Sequence, residues 1–380
     1  MFCVNCGSQL PPNTAFCARC GYRQGMPPGM AAAPQAPPPI PIQHRHLIES
    51  LESKINHLAC TEKLEGFSLR QMFSEVFKKR TQEEIDDYFI AGTTRTTPDM
   101  KDVQTGWPKP WFFMRLLAFV ASAYAILAVA FDQTHNPNLI PGLIVMGAFA
   151  MPVSTLFLFY ELNTPRNVPF HAVISLFCLG GVASLFITIL IVDPMLSMLN
   201  WMGASSAGIT EETSKLIAVV LLARRAKHKY ILNGLLFGAA IGAGFGAFES
   251  AGYAFRAGMS SVQGMTTSIW FRAALAPFMH VAWTAISAGA LWRSRNGGPL
   301  TFKAFDGRFW RTFLIPVVLH MIWNSPLQLP LQLTHVVTGV IAWYVVFALT
   351  QQGLRQVRDE QLSATQEALR ATRTMVAQAF

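Results

Sequence analysis

Charge is what this chain has least of. Only 13% of its 380 residues are Asp, Glu, Lys or Arg, about half the share of an ordinary soluble domain, which excludes a conventional water-soluble fold. Acids are the scarcer sign, 21 against 30 basic residues. The N-terminus lacks the apolar stretch of a secretory signal. Cysteines are few, and four of the six fall within the first twenty residues; that pattern argues against a disulfide framework from an oxidising compartment. No HExxH pair marks any apolar run as a metalloprotease helix. What the chain has in quantity is apolar sequence: 52% of residues are hydrophobic and the mean hydropathy is +0.33. The expected fold is an all-α polytopic membrane protein.

The N-terminal stretch "MFCVNCGSQLPPNTAFCARCGY" holds Cys3-x2-Cys6 and Cys17-x2-Cys20, each pair followed by a glycine, Gly7 and Gly21. Two such knuckles can wrap four thiolates around one tetrahedral Zn²⁺, so residues 1–23 are expected to form a zinc ribbon with a structural zinc ion. A ribbon this short buries little core, so the metal supplies its folding energy. Its basic surface is little more than Arg19 and Arg23, so no nucleic acid partner is expected; an unidentified cytosolic protein partner is. Residues 24–44 are Pro- and Ala-rich and nearly free of charge, the composition of a disordered tether. Residues 45–110 carry mixed charge with apolar residues at helical spacing and read as a cytosolic helical segment.

Residues 111–352 are expected to hold about eight transmembrane helices, near 111–131, 139–160, 168–192, 209–223, 231–255, 270–292, 309–324 and 329–350. Residues 353–380 form a polar tail. Alternate loops are rich in Lys and Arg: Arg166; Arg224, Arg225, Lys227 and Lys229; Arg293, Arg295, Lys303, Arg308 and Arg311; Arg355 and Arg358. The bias of positive charge toward cytoplasmic loops places both termini inside a bacterial-type cytoplasmic membrane, in agreement with a reduced zinc ribbon.

An ionisable side chain in hydrocarbon costs at least roughly 2.5–3.5 kcal/mol on insertion scales, so each requires a partner or a function. Four successive spans carry them: Glu211, Glu212 and Lys215 in "TEETSK", Glu249 in "FGAFESAGY", His280 in "PFMHVAW", and His320 with Asn324 in "HMIWN". With span directions set, all fall in the outer half of the bilayer. Lys215 is i+4 from Glu211 and i+3 from Glu212, on one helix side. Gly234, Gly238, Gly242 and Gly246 recur every fourth residue beside Glu249, a strip that admits a neighbouring helix at close range. Each group also has a plainer reading: Thr210 can cap a helix that carries the two glutamates in its first turn, Lys215 can neutralise a carboxylate, and an intramembrane His can be a packing residue. Three function classes follow: an enzyme, a proton-coupled transporter that uses the acids as a relay, and a silent receptor or scaffold that acts through the ribbon.

The ordered set Glu211-Glu212-x-x-Lys215, Phe245-x-x-x-Glu249, His280 and His320-x-x-x-Asn324 resembles the PrsW-type intramembrane proteases, relatives of the CAAX prenyl endopeptidases, over about residues 205–326. The resemblance implies hydrolysis of peptide bonds in membrane-anchored proteins, with anti-sigma factors as a substrate class. It implies Glu211 and Glu212 as the pair that activates water, His320 and Asn324 as donors to the oxyanion, and His280 as a residue that orients water or moves a proton. Glu249 stands where the prenyl endopeptidases have a histidine, which favours the PrsW side. The Glu and His set can equally ligate Zn²⁺ or run a metal-free glutamate mechanism, and the residues leave that choice open.

Overall fold

The computed structural model describes residues 2–3, 7–10, 17, 42–93, 95–223, 228–327 and 329–378, with backbone alone for 42–47, 82, 86, 368 and 376–378. Cys6 and Cys20, most of the tether and the basic run 224–227 lie outside the described residues. The chain divides into two compact units, Met1–Ser50 and Leu51–Phe380. In the first, Cys3, Leu10 and Cys17 form a small buried cluster. Gly7 takes φ +69°, a left-handed value that glycine adopts without steric cost, and its N–H donates to the Cys3 carbonyl at 2.9 Å.

Apart from one isolated bridge between Phe2 and Gln9, every regular element among the described residues is helical. Among the described residues two longer helices precede the membrane body, α1 (Ile42–Ala59) and α2 (Gln82–Ile90), with a single helical turn at Leu69–Met72 between them. The body runs through α3 (Phe112–Thr134), α4 (Ile140–Leu162), α5 (Phe170–Met195), α6 (Ala207–Leu222), α7 (Ile231–Gly258), α8 (Val262–Leu275), α9 (His280–Arg295), α10 (Gly307–Trp323) and α11 (Leu333–Gln378). Six stretches are long and apolar enough to cross a membrane: α3, α4, α5, α7, the α8–α9 stretch and α11. The other two expected spans are the shorter helices α6 and α10, of 16 and 17 residues.

Two boundaries differ from the sequence expectation. The sixth span is not one helix from 270 to 292: α8 ends at Leu275, a tight turn covers Ala276–Phe278, and Met279 has the non-helical angles φ −111°, ψ −133°. Pro277 accounts for the break, since its ring clashes with the preceding turn and it offers no N–H. His280 therefore opens α9 instead of lying ten residues inside a span. The last span does not stop near residue 350 but continues as a single helix of 46 residues.

The centre of the body is α7, buried without interruption from Ile231 to Ala247. Its glycines do what their spacing suggests. A methyl group placed on Gly238 would lie 2.2 Å from the Thr284 carbonyl oxygen, and one on Gly242 2.2 Å from the His280 carbonyl oxygen. The α7 and α9 backbones thus touch along the strip, and the contact fixes the first residue of α9 against α7. Other polar ties hold the periphery. Glu161, at the end of α4, accepts the Trp111, Phe112 and Phe113 N–H groups at 2.7, 2.9 and 2.9 Å, which caps the start of α3. The last carbonyls of α1 accept from Arg293 of α9 and from Arg311 and Thr312 of α10: Ala59 and Cys60 from Arg293 at 2.9 Å each, His57 from Arg311 at 2.7 Å, and Ala59 from Thr312 at 2.8 Å. Asp306 caps α10 by accepting the Phe309 N–H at 2.8 Å. Burial works against its charge, but the bonds from Phe309, Ser294 and Arg308 outweigh it and hold the carboxyl below its ordinary range. The stability this cap adds is present above the ordinary carboxylate pKa and is lost as pH falls through the lowered value.

The seam makes a sharp expectation. Gly242→Ala must push α7 and α9 apart and should cost about 1–3 kcal/mol, read as a lower thermal unfolding midpoint. Gly252→Ala, on the same helix with open space around it, should leave that midpoint unchanged or raise it.

Candidate active site

The five helices α6 to α10 converge on one buried cluster. α6 begins at Ala207, so Glu211, Glu212 and Lys215 stand beyond its first turn. Thr210 is not its cap, and the terminal-dipole explanation of the two acids falls away. Glu212 and Lys215 are fully buried, and the Glu211 side chain keeps 14% exposure. The Lys215 ammonium donates to Glu212 Oε1 at 2.6 Å and to His280 Nδ1 at 2.8 Å, stands 3.6 Å from Glu211 Oε2, and lies 4.3 Å over the Phe245 ring. A buried ammonium with these partners is compensated on every side.

Both histidines are held in the same manner. His280 accepts from Lys215 at Nδ1, so its proton sits on Nε2, which donates to Glu249 Oε2 at 3.1 Å. His320 donates from Nδ1 to Glu212 Oε1 at 2.9 Å. Each imidazole is thus backed by a buried carboxylate that fixes its tautomer. Its other nitrogen faces Glu211: His280 Nδ1 is 3.9 Å and His320 Nε2 is 3.8 Å from Glu211 Oε2. The rings are set by packing, with Trp283 stacked on His320 at 4.4 Å and edge-on to His280 at 5.3 Å.

Glu211, His280 and His320 offer one ligand atom each, all within 4.8 Å of one another. Ligands at about 2.1 Å from a tetrahedral zinc lie about 3.4 Å apart, close to the separations seen here. Glu211 Oε2 is buried and accepts no hydrogen bond among the described residues, as a lone pair reserved for a cation would. A carboxylate with two neutral imidazoles is a donor set of catalytic zinc sites. Glu211 and the bare nitrogen of His320 fit a divalent metal as they stand, and His280 would join them by exchanging its Lys215 hydrogen bond for the metal.

The structure therefore brings six of the seven candidate residues together. Asn324 ends α10 one turn beyond His320, and among the described residues no hydrogen bond joins its amide to the cluster. One residue with a part in the cluster escaped the sequence reading. Arg272 of α8 donates from Nη2 to Glu249 Oε2 and from Nε to Ser250 Oγ at 2.8 Å, and its guanidinium lies 4.4 Å over the Tyr253 ring. Its sequence signal is a lone cation just inside an apolar run.

Residues 168–350 match the PrsW-protease family, described as PrsW family intramembrane metalloprotease, and residues 2–24 match a zinc-ribbon domain. Searches of curated proteins and of solved structures each found no match. The membrane body is an intramembrane peptidase. Residues 168–350 are its PrsW-family domain, and a zinc-ribbon domain precedes it at residues 2–24.

Arg272 reaches the cluster only through Glu249, so it is a positioning residue. Arg272→Ala should lower proteolysis by roughly 10–100-fold, as loss of an outer partner of a ligating histidine does. Arg272→Lys should restore only part of it, because a point charge cannot span Glu249 and Ser250 together. A variant in which peptide turnover matches wild type at equal folded fraction would remove Arg272 from the site.

Proposed function

We propose that this protein hydrolyses peptide bonds of membrane-anchored proteins near the outer membrane face, as a step in regulated intramembrane proteolysis. The observation that carries this reading is the pair of carboxylate-backed histidines whose second nitrogens lie 3.9 and 3.8 Å from Glu211 Oε2, an oxygen that accepts no hydrogen bond among the described residues. The arginine- and lysine-bearing alternate loops support a location in a bacterial-type cytoplasmic membrane with both termini in the cytoplasm. A membrane-anchored anti-sigma factor is the substrate class that the family resemblance suggests.

Glu211, His280 and His320 would hold a divalent metal ion such as Zn²⁺, which supplies Lewis-acid polarisation of water or of the scissile carbonyl when bound. The chain's own groups supply the rest. Glu212 Oε1 is occupied by Lys215 and His320, while its Oε2 is buried with no hydrogen bond among the described residues. Glu212 Oε2 is thus the carboxylate oxygen left to take a proton from the attacking water and pass it to the leaving amine. The Lys215 ammonium is a fixed positive charge in a site walled off from water, where such charges act most strongly on a developing oxyanion. His320 spends its N–H on Glu212 and presents a bare nitrogen, which suits ligation better than the oxyanion donation expected of it. Asn324 remains the amide placed to reach the oxyanion by rotation about its side chain. The ribbon, with Cys3, Cys6, Cys17 and Cys20 around a structural zinc, would recruit a cytosolic partner. Its Cys3 and Cys17 thiols are buried together.

Paired variants test the assignment. Glu211→Gln and Glu212→Gln should each reduce cleavage of a reconstituted membrane-anchored substrate by at least about a hundredfold, compared at equal folded fraction. Elemental analysis separates their roles: in a Cys3→Ser background, which removes the ribbon's zinc, Glu211→Gln should lose the remaining metal and Glu212→Gln should keep it. Full activity of the Glu212→Gln variant would end the proposed base, and equal metal content in both would end the proposed ligand set.

A further inference from the structure

A second concave site lies at the other end of the membrane body. A cavity of about 560 Å³ opens where the start of α3 and the end of α4 meet the segment that precedes them, and Arg80, Tyr88, Lys109, Trp111, Thr164 and Arg166 are among its walls. None of these residues belongs to the protease cluster.

The charges do not cancel inside it. Three carboxylates share the lining, Glu75, Asp102 and Glu161. Glu75 is taken by Lys78 and Arg80, at 3.2 Å each. Glu161 is spent on the three N–H groups that open α3, and Asp102 is exposed. Two cations have no acid within ion-pair distance among the described residues: Lys109, whose charge reaches Glu75 only at longer range, and Arg166, which donates to the Tyr88 carbonyl while stacking 4.1 Å over the Tyr88 ring. Two donors are buried and unused among the described residues, Arg80 Nε and the Thr164 hydroxyl. A buried donor without an acceptor is costly, and its presence in a cavity wall is evidence of an acceptor that belongs there.

We propose that this cavity binds a phosphate group. Guanidinium and ammonium groups, a hydroxyl and a spare N–H match the oxygens of a phosphate monoester or diester. The aromatic walls of Tyr88, Trp107 and Trp111 stand at the ends of two membrane-crossing helices, the level at which phospholipid headgroups lie. Basic pockets between helices at that level hold anionic headgroups. The phosphate has two available sources, an anionic phospholipid of the surrounding membrane and a soluble phosphate compound.

Native mass spectrometry of the full chain released from mixed phosphatidylglycerol and phosphatidylcholine nanodiscs distinguishes these sources, together with thermal unfolding in phosphatidylcholine alone with and without inorganic phosphate. A lipid site retains phosphatidylglycerol in preference to phosphatidylcholine, and each cation removed by Lys109→Gln or Arg166→Gln lowers that preference roughly fivefold. Lys101→Gln, which alters an exposed lysine outside the cavity lining, leaves it unchanged. A soluble-phosphate site shows no lipid preference but gains thermal stability from inorganic phosphate, and Lys109→Gln abolishes that gain. Lys109 is exposed, so its variant keeps the test readable if Arg166→Gln fails to fold. No lipid preference together with no phosphate effect would overturn the proposal, as would equal responses from Lys101→Gln and Lys109→Gln.

Discussion

The membrane body depends on a mutual obligation among buried charges. Glu212, Lys215, His280, His320 and Glu249 lie in a space from which water is largely excluded, and each is tolerable there only because another accepts or donates to it. Removing one partner strands the next, at a cost of several kcal/mol for a buried ion. The network therefore selects one arrangement of α6, α7, α9 and α10, since any sliding of these helices would leave an ammonium or a carboxylate unmatched. Chemistry and architecture are specified by the same contacts.

The glycine strip of α7 makes the obligation possible. The His280 to Glu249 bond requires α9 to begin within touching distance of α7, and only residues without a side chain permit that approach. The break at Pro277 has a matching role. It ends α8 and lets α9 start afresh at His280, with α8 free to direct Arg272 back at Glu249. One proline and four glycines thus set the places of three ionisable groups on three helices.

Much of this was readable from residue spacing. The i, i+3 and i, i+4 relations of Glu211, Glu212 and Lys215, the four-residue period of the glycines and the shared depth of the acids and histidines all follow from helix geometry, and the structure places those side chains together. What spacing could not supply were contacts between distant segments. Glu161 lay one residue outside the expected second span and was left out of the polar survey; its role as a cap for α3 depends on a helix nearly fifty residues earlier. Arg272 shows in the sequence only as a lone cation, while its three partners, Glu249, Ser250 and Tyr253, lie on another helix. The kink was signalled by Pro277, but a proline in an apolar run is compatible with a kinked span as well as with a full break, and only packing against α7 decides between them.

The last helix carries a mechanical consequence. At 1.5 Å per residue, the 46 residues of α11 measure about 69 Å, more than twice the roughly 30 Å of a bilayer's hydrocarbon layer. Somewhat more than half of it extends beyond the lipid, tied down as far as Gln361, whose amide donates to the Met100 and Val103 carbonyls. Past that tie a stiff arm of about 25 Å remains, and a tilt of about ten degrees would swing its end through about 4 Å.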